Sequence, residues 1–242
     1  MLETRELGEA DLIVTLFGQH HGKVRAVAPA ARKSRRRFGG LLEPLTRVRA
    51  SWVEREGRQL HRLSELEGVR SFAEMQSDPL RQATCAVLAD VAGAFVQEGQ
   101  SDPQAFRLLG AVLEALEGGA GPWAMLRYFE YWTLRGHGLL PDLERCAVCG
   151  RALLAREASR ASRTRGAICA ECPRVSGDAE ARLTLRDRDF LAAVRRLPPS
   201  AVPQPPSPVS GSRAIELLLR GMLEGFAERP FRTYKHFHAL AR

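Results

Sequence analysis

Four of the five cysteines form two closely spaced pairs, Cys146-Ala-Val-Cys149 and Cys169-Ala-Glu-Cys172, with nineteen residues between the pairs. Each C-x-x-C pair makes a tight turn that brings two thiolates together, and two such turns supply the tetrahedral sulfur shell that zinc prefers. The gap fits the roughly 15–20 residues that separate the pairs in such sites. Four protein ligands leave no position for a substrate or water, so the pattern predicts one structural zinc ion.

Other uses of these cysteines fit the sequence less well. Residues 1–6 are charged and lack the apolar core of a signal peptide, which predicts a cytoplasmic protein, and disulfides are rare in that compartment. A thioredoxin-like redox pair explains one C-x-x-C but not two, and iron–sulfur clusters use other spacings. The fifth cysteine, Cys85, has no partner motif and is predicted to be a small buried apolar side chain.

Positive charge is the second chemical feature of the sequence. The chain has 36 lysines and arginines against 28 acidic residues, a net charge of +8. Between His20 and Ala50 the excess of basic over acidic residues is also eight, because one acid, Glu43, faces nine basic residues. These nine are Lys23, Arg25, Arg32, Lys33, Arg35, Arg36, Arg37, Arg47 and Arg49. Such a concentration predicts binding to the phosphates of nucleic acid, and a solvated loop in an arginine-rich chain is the alternative.

The basic residues lie in a part of the chain that has the periodicity of strands. Residues 12–17 form a short apolar run, and residues 23–28 alternate polar and apolar side chains. The loop 18–22 between them has a glycine at each end, which indicates a β-hairpin. Residues 47–52 alternate again, whereas the segment 59–67 is ambiguous because its leucines are spaced by three. Five strands with few helices fit a small closed barrel.

From about residue 78 the periodicity becomes helical. Asp78-Pro79 and Ser101-Asp102-Pro103 are helix-start signals, with aspartate as the N-cap and proline at the first position. Pro122 starts a third helix that is apolar and aromatic almost all round, which favours core packing over stacking on nucleobases. The remaining elements are helices at 184–197 and 215–226 and, between them, an extended proline-rich linker at 198–208.

The sequence contains no clear catalytic motif. The stretch from Gly18 to Lys23 has three residues between its glycines and no Ser or Thr after the lysine, so it does not match a phosphate-binding loop. Asp187 and Asp189 are the closest carboxylates to a metal-binding pair, and they fall on the predicted surface of a helix. The chain is therefore predicted not to be an enzyme. A zinc-ribbon nuclease or nucleotidyl transferase and a pure protein-interaction adaptor are the alternatives.

Several short segments, spread in order over nearly the whole chain, carry a family resemblance. They are Gly8-Glu-Ala-Asp11-Leu-Ile-Val-Thr15-Leu-Phe17, Gly22-Lys23, Ala30-Ala-Arg32-Lys33, Arg127-Tyr-Phe129-Glu130, Leu134, Gly138, Pro141, Leu143, Cys146-Ala-Val-Cys149-Gly150 and Arg229-Pro-Phe-Arg232. Together they resemble the bacterial RecO family of recombination-repair proteins. The resemblance implies a multidomain α+β fold in which an N-terminal OB-fold β-barrel, residues 1–75, binds DNA. An α-helical domain, residues 76–242, would follow and carry the four-cysteine zinc module at 146–172.

The resemblance also implies an activity and partners. Such a protein would bind single- and double-stranded DNA, anneal complementary strands and help load RecA onto DNA coated by single-strand-binding protein, as a mediator of the RecF pathway. RecR and the acidic tail of single-strand-binding protein would be its partners, and it would act at the nucleoid in the cytoplasm. The nine basic residues would then contact DNA backbones without reading their sequence.

Overall fold

The computed structural model describes residues 1–33, 38–54, 60–72, 75, 77–153, 159–173, 180–205 and 212–241. The chain divides into two compact units, Met1–Leu113 with Thr233–Leu240, and Glu114–Arg232 with Ala241–Arg242. Among the described residues, no helix is both long enough and apolar enough to cross a membrane.

The first unit is built on a five-stranded sheet. Its strands are β1 (Glu3–Leu7), β2 (Asp11–Gly18), β3 (Gly22–Ala28), β4 (Arg47–Val53) and β5 (His61–Arg70). They are ordered β1-β2-β3-β5-β4, and all neighbours are antiparallel except β3 and β5. The N-terminal ammonium donates to Thr46 O at 3.1 Å and Leu45 N donates to Met1 O at 2.8 Å, which brings the start of the chain beside the start of β4. This arrangement confirms the expected OB-like N-terminal domain of a mixed α+β protein.

The hairpin between β2 and β3 has the predicted boundaries, since Gly18 pairs with Gly22. Gly22 has φ +62°, and a Cβ there would lie 2.6 Å from Gln97 O and collide with Gln100 O. Glycine is therefore required by both the backbone conformation and the close approach of the 97–100 segment. Along β3 buried and partly exposed residues alternate, as the sequence predicted.

The ambiguous segment 59–67 contains a strand with a bulge. Trp52 pairs with Leu63 and Ser51 with Glu65, so Ser64 is the extra residue on β5, and its hydroxyl donates to Ser51 O at 2.8 Å. The bulge changes which face the following side chains point to. Leu63 and Leu66, three residues apart, therefore both enter the core, and their helix-like spacing is compatible with a strand.

In the part of the chain that the structure describes, three α-helices contribute to the first unit. α1 (Pro79–Phe95) and α2 (Pro103–Glu117) begin at the predicted prolines, and the Asp78 carboxylate caps α1 by accepting from the amides of Leu80 and Arg81. α2 extends across the boundary between the two units. α6 (Thr233–Leu240) was not predicted; it packs on α1, where the Thr233 hydroxyl donates to Asp90 Oδ2 at 3.0 Å. At eight residues it is too short to give a clear periodic signal.

The second unit contains the other helices and a small sheet. Its elements are α3 (Pro122–Gly136), β6 (Ser159–Ser162), β7 (Gly166–Cys169), β8 (Glu180–Leu183), α4 (Leu185–Arg196) and α5 (Arg213–Ala227). Nearly every residue of α3 is buried, which confirms that its aromatic residues pack in a core. The buried Arg127 guanidinium pairs with Glu130 at 2.7 Å, and Glu216 lies 3.6 Å from it. The charges of the Arg127-Tyr-Phe129-Glu130 segment therefore compensate each other inside the helical core.

The described part of the proline-rich segment differs from the extended chain that its prolines predicted. Pro199–Ala201 forms a turn of 3-10 helix, and Pro199 and Val202 are buried. Gln204 Oε1 accepts from Gly121 N at 2.8 Å, immediately before α3. A proline fits the first position of a helical turn because its fixed φ suits that position and its missing amide would have no partner there. Residues 206–208 lie outside the described residues.

Candidate metal centre and basic surface

The four cysteines of the two pairs converge on one point. Their sulfur atoms all lie within 4.8 Å of one another; Cys146 and Cys172 are 3.8 Å apart, and Cys149 and Cys169 are 3.9 Å apart. A tetrahedron of thiolates around zinc, with Zn–S of about 2.3 Å, has edges of about 3.8 Å. The donor set and its spacing therefore fit a tetrahedral metal ion, and these four residues could hold one.

The first pair is shaped by a tight turn. Gly150 has φ +72°, and its amide donates to Cys146 O at 2.9 Å. Cys146 N in turn donates to Arg151 O at 2.8 Å, which closes the loop that carries Cys149. Gly150 directly follows the second cysteine of this pair, and a glycine adopts the left-handed backbone of the turn without the steric cost of a side chain.

The second pair lies at the end of a β-hairpin that the sequence did not predict. β6 pairs with β7, and Cys169 is the last residue of β7. Ala147 N donates to Ala167 O at 2.8 Å, and Cys169 N approaches Cys146 Sγ at 3.4 Å, so the hairpin holds the two pairs together. Strands of four residues carry too little periodicity to be recognised, although the separation between the pairs leaves room for a hairpin.

Two arginines that sequence reasoning counted only as charge support the cysteine cluster. Arg160 on β6 donates to the carbonyl oxygens of Cys169, at 3.2 Å, and Cys172. Arg188 on α4 is buried, and it donates to Ser159 Oγ at 3.0 Å and to a backbone carbonyl at 3.1 Å. Groups of this kind fix the geometry of metal ligands from outside the coordination shell. No local motif marks them, because their partners come from other elements.

The thiols differ in their affinity for protons. Burial raises the pKa of Cys146, but hydrogen bonds from the backbone amides around Cys149, Cys169 and Val148 outweigh it and lower the pKa to about 6. The hydrogen bond with Cys169, followed by desolvation and the other neighbouring sulfurs, raises the pKa of Cys172 to about 12. Thiols this close together therefore share their remaining protons, and a bound metal cation would replace those protons.

Cys85 is separate from this cluster. It lies on α1, partly buried, and burial raises the pKa of its thiol to about 11. A thiol with such a pKa is mostly protonated at neutral pH, which makes it unreactive. The high pKa is compatible with the predicted apolar role, but Cys85 is partly buried and not buried as the sequence predicted.

Several of the basic residues predicted to contact DNA have protein partners. Lys23 Nζ donates to Gly93 O at 3.1 Å near the end of α1. Arg25 pairs with Glu98 at 2.8 Å and Arg49 with Glu67 at 2.6 Å. The Arg25 and Arg49 ion pairs are partly or largely exposed, whereas Lys23 is held against the helix end.

The other basic residues lie around the segment between β3 and β4. Arg32 donates to Gly8 O at 2.9 Å and lies 3.1 Å from a carboxylate oxygen of Glu6. Lys33 and Arg47 are exposed, and neither has a carboxylate partner within the described ranges; the Arg47 guanidinium lies 5.6 Å from the centre of the Phe106 ring. Arg35, Arg36 and Arg37 lie outside the described residues.

The two carboxylates considered for a catalytic metal site have different environments. Asp187 is buried and forms a capping box at the start of α4: its Oδ2 accepts from Thr184 N at 2.7 Å, and its amide donates to the Thr184 hydroxyl at 3.3 Å. Asp189 is exposed. The prediction that both lie on the helix surface was therefore wrong for Asp187, because capping draws its side chain back to the backbone.

Comparison with known proteins matches nearly the whole chain to one family. The family model described as recombination protein O N terminal matches residues 1–72, and the model described as recombination protein O C terminal matches residues 76–235. A protein from Koribacter versatilis named DNA repair protein RecO is 36% identical over 233 residues, which cover 96% of this chain and 93% of that protein. Proteins of the same name from Anaeromyxobacter sp. strain K and Geobacter sulfurreducens are 37% and 39% identical, over 90% and 72% of this chain and 86% and 71% of their own lengths.

Proposed function

Since this chain belongs to the RecO family of DNA repair proteins, we propose that it is a recombination mediator that binds DNA and performs no covalent chemistry. It binds single- and double-stranded DNA, anneals complementary strands and, with RecR, helps load RecA onto DNA covered by single-strand-binding protein. It contacts the acidic tail of that protein and acts at the nucleoid.

The observation that carries this proposal is the concentration of positive charge between His20 and Ala50. Exposed ion pairs such as those of Arg32 and Arg49 contribute only about 0–1 kcal/mol, so a phosphate can replace the carboxylate at small cost. Contacts of arginine with phosphate carry no sequence information, which suits a protein that must act anywhere on a chromosome.

We propose zinc as the ion of the four-cysteine cluster, bound by Cys146, Cys149, Cys169 and Cys172. Thiolate ligands in a tetrahedral arrangement select zinc, and a shell of four protein ligands leaves its role structural. The proposed domains are 1–75 for DNA binding and 76–242 for the helical part. The end of β5 at Arg70 and the start of α1 at Pro79 support a boundary between them.

Annealing follows from charge alone. Two complementary strands repel each other through their phosphates, and a protein that neutralises both lowers that repulsion without hydrolysing a nucleotide. Base contacts are a minor part of the mechanism because Trp52 is packed against the core of the sheet and few other aromatic residues are available there.

The test replaces the three consecutive arginines Arg35, Arg36 and Arg37 with alanine and measures binding to labelled duplex DNA over a range of salt concentrations. We expect weaker binding and a plot of log K against log salt that is flatter by up to about three units, since each lost phosphate contact removes about 0.9. The triple lysine variant keeps the charge and should keep the slope. An unchanged slope in the alanine variant would place the DNA elsewhere.

A further inference from the structure

The turn between β6 and β7 carries two arginines, Arg163 and Arg165, on either side of Thr164. All three residues are exposed, and neither arginine has a carboxylate partner in the part of the chain that the structure describes. Three of the arginines predicted to contact DNA in the first unit, by contrast, are each paired with a glutamate. The guanidinium groups of this turn are therefore available to an external anion.

The backbone of the turn is fixed by local contacts. The Ser162 hydroxyl accepts from Thr164 N at 3.3 Å and from Arg165 N at 3.0 Å. Gly166 has φ +92°, and a Cβ there would collide with the carbonyl oxygen of Asp142, whose backbone lies against the hairpin. A turn that is already ordered loses little conformational entropy when it binds a ligand, which favours binding.

Two acids near the turn, Asp142 and Glu171, are directed to other groups. Asp142 Oδ1 accepts from the amides of Glu144 at 2.7 Å and Arg145 at 3.3 Å. Glu171 lies 3.2 Å from the guanidinium of Arg151, at the cysteine end of the module. The positive charge of the turn is thus not neutralised by these two carboxylates.

Arg163 contacts α5, and the nearby carboxylate of that helix does not neutralise the Arg163 guanidinium either. Arg163 lies against α5 at Gly221, where any side chain would occupy the space of its guanidinium. Glu224, one turn further along α5, accepts from Arg220 Nε at 2.9 Å and from Phe231 N at 3.0 Å. Its carboxylate is therefore engaged, and the glycine allows Arg163 to extend over the helix surface.

We propose that this arginine turn, residues 163–165, is a second binding site for the phosphate backbone of nucleic acid. Guanidinium groups bind phosphate oxygens through paired hydrogen bonds. The turn offers no apolar side chain to anchor a protein ligand, which favours nucleic acid over an acidic peptide. The inference rests on the proposed function and extends it: a second strand-binding site lets one molecule hold both strands that it anneals.

The experiment compares full-length, zinc-loaded protein with the R163A/R165A variant, using fluorescence anisotropy of labelled oligodeoxythymidine over a range of salt concentrations. We expect the variant to bind more weakly and its log K against log salt plot to be flatter by about 1.4, because each single-strand phosphate contact contributes about 0.7. Its zinc content and thermal unfolding should match those of the wild type. If the alanine variant loses zinc, R163Q/R165Q takes its place, because glutamine removes the charge but keeps a polar, hydrogen-bonding side chain that is longer than alanine.

Two controls make the result specific. R163K/R165K keeps the charge and should keep the slope. R145A/R151A removes two exposed charges from the same module, one of them already paired with Glu171, and should leave the slope unchanged.

An unchanged slope in R163A/R165A, while the wild type binds DNA, overturns the second site and leaves the proposed function intact. Equal losses in R163A/R165A and R145A/R151A overturn it as well, since bulk charge would then explain the effect. Loss of binding to a polyglutamate peptide with DNA binding retained would assign the turn to a protein partner instead. A wild type that binds no DNA would reject the proposed function itself.

Discussion

At the scale of residues, four sulfur atoms converge in a segment whose hydrophobic core is small. Cys146 and Cys169 are buried with a few apolar side chains, among them Leu153 and Ile168, whereas Cys149 is exposed. Such a small cluster does not offset the entropy of ordering the chain around it. Metal–sulfur bonds would supply the missing stability, since metal binding in structural sites is coupled to folding.

The first prediction concerns Cys149. The purified protein should contain one zinc ion per chain, and Cys149→Ser should lose both the metal and the cooperative unfolding of the module, because serine is a poor zinc ligand. Metal analysis and thermal unfolding measure the two effects. Cys85→Ala, which changes a cysteine outside the cluster, should retain the zinc. Iron with visible absorbance in the wild type would contradict the assignment.

At the scale of elements, the boundaries follow local capping chemistry. Asp78, Thr184 and Ser212 each accept hydrogen bonds from the first amides of a helix, and all three helices begin at the next residue. Asp187 completes the cap of α4 and is buried there, so it is a structural residue, which weakens the case for a catalytic carboxylate pair.

A second prediction at this scale compares two glycines. Gly22→Ala should lower the free energy of unfolding by more than about 1 kcal/mol, because the site has φ +62° and a Cβ there would collide with the 97–100 backbone. Gly110→Ala, inside α2 with open space around its Cβ position, should raise it by about 0.5–1 kcal/mol. Urea unfolding measures both changes. Similar stabilities for the two variants would mean that the hairpin contact contributes little.

At the scale of the whole molecule, charge is the property on which the proposed function rests. A net charge of +8 would attract the phosphates of DNA over a long range, and added salt would screen that attraction. A protein that works through this attraction needs neither a nucleotide nor a catalytic metal.

The prediction at this scale concerns strand annealing. The protein should accelerate annealing of complementary oligonucleotides without any nucleotide, and the acceleration should decrease as salt rises, because phosphate neutralisation drives it. A fluorescence-quenching assay with paired labels measures the rate. In the same reactions with magnesium, labelled strands should stay intact. Strand cleavage would favour a zinc-ribbon enzyme, and binding that vanishes at physiological salt would favour an adaptor.

The sequence alone predicted much of the fold because the relevant signals are local. Two C-x-x-C pairs at a suitable separation predicted the four sulfurs that converge, and Asp78-Pro79 and Pro122 marked the starts of helices. The strand alternation of 23–28 and the glycines of the hairpin also lie within a few residues of one another. The DNA contacts and the domain boundary at residues 75 and 76 remain predictions.

The tertiary structure decided what depends on residues far apart in the chain. Only the pairing of β4 with β5 places the bulge at Ser64, which directs Leu63 and Leu66 to the same core. Only the fold determines which cations meet a carboxylate, as Arg25 does, and which remain available, as at the 163–165 turn. Charge is a property of the residue, but its neutralisation depends on neighbours brought close by folding.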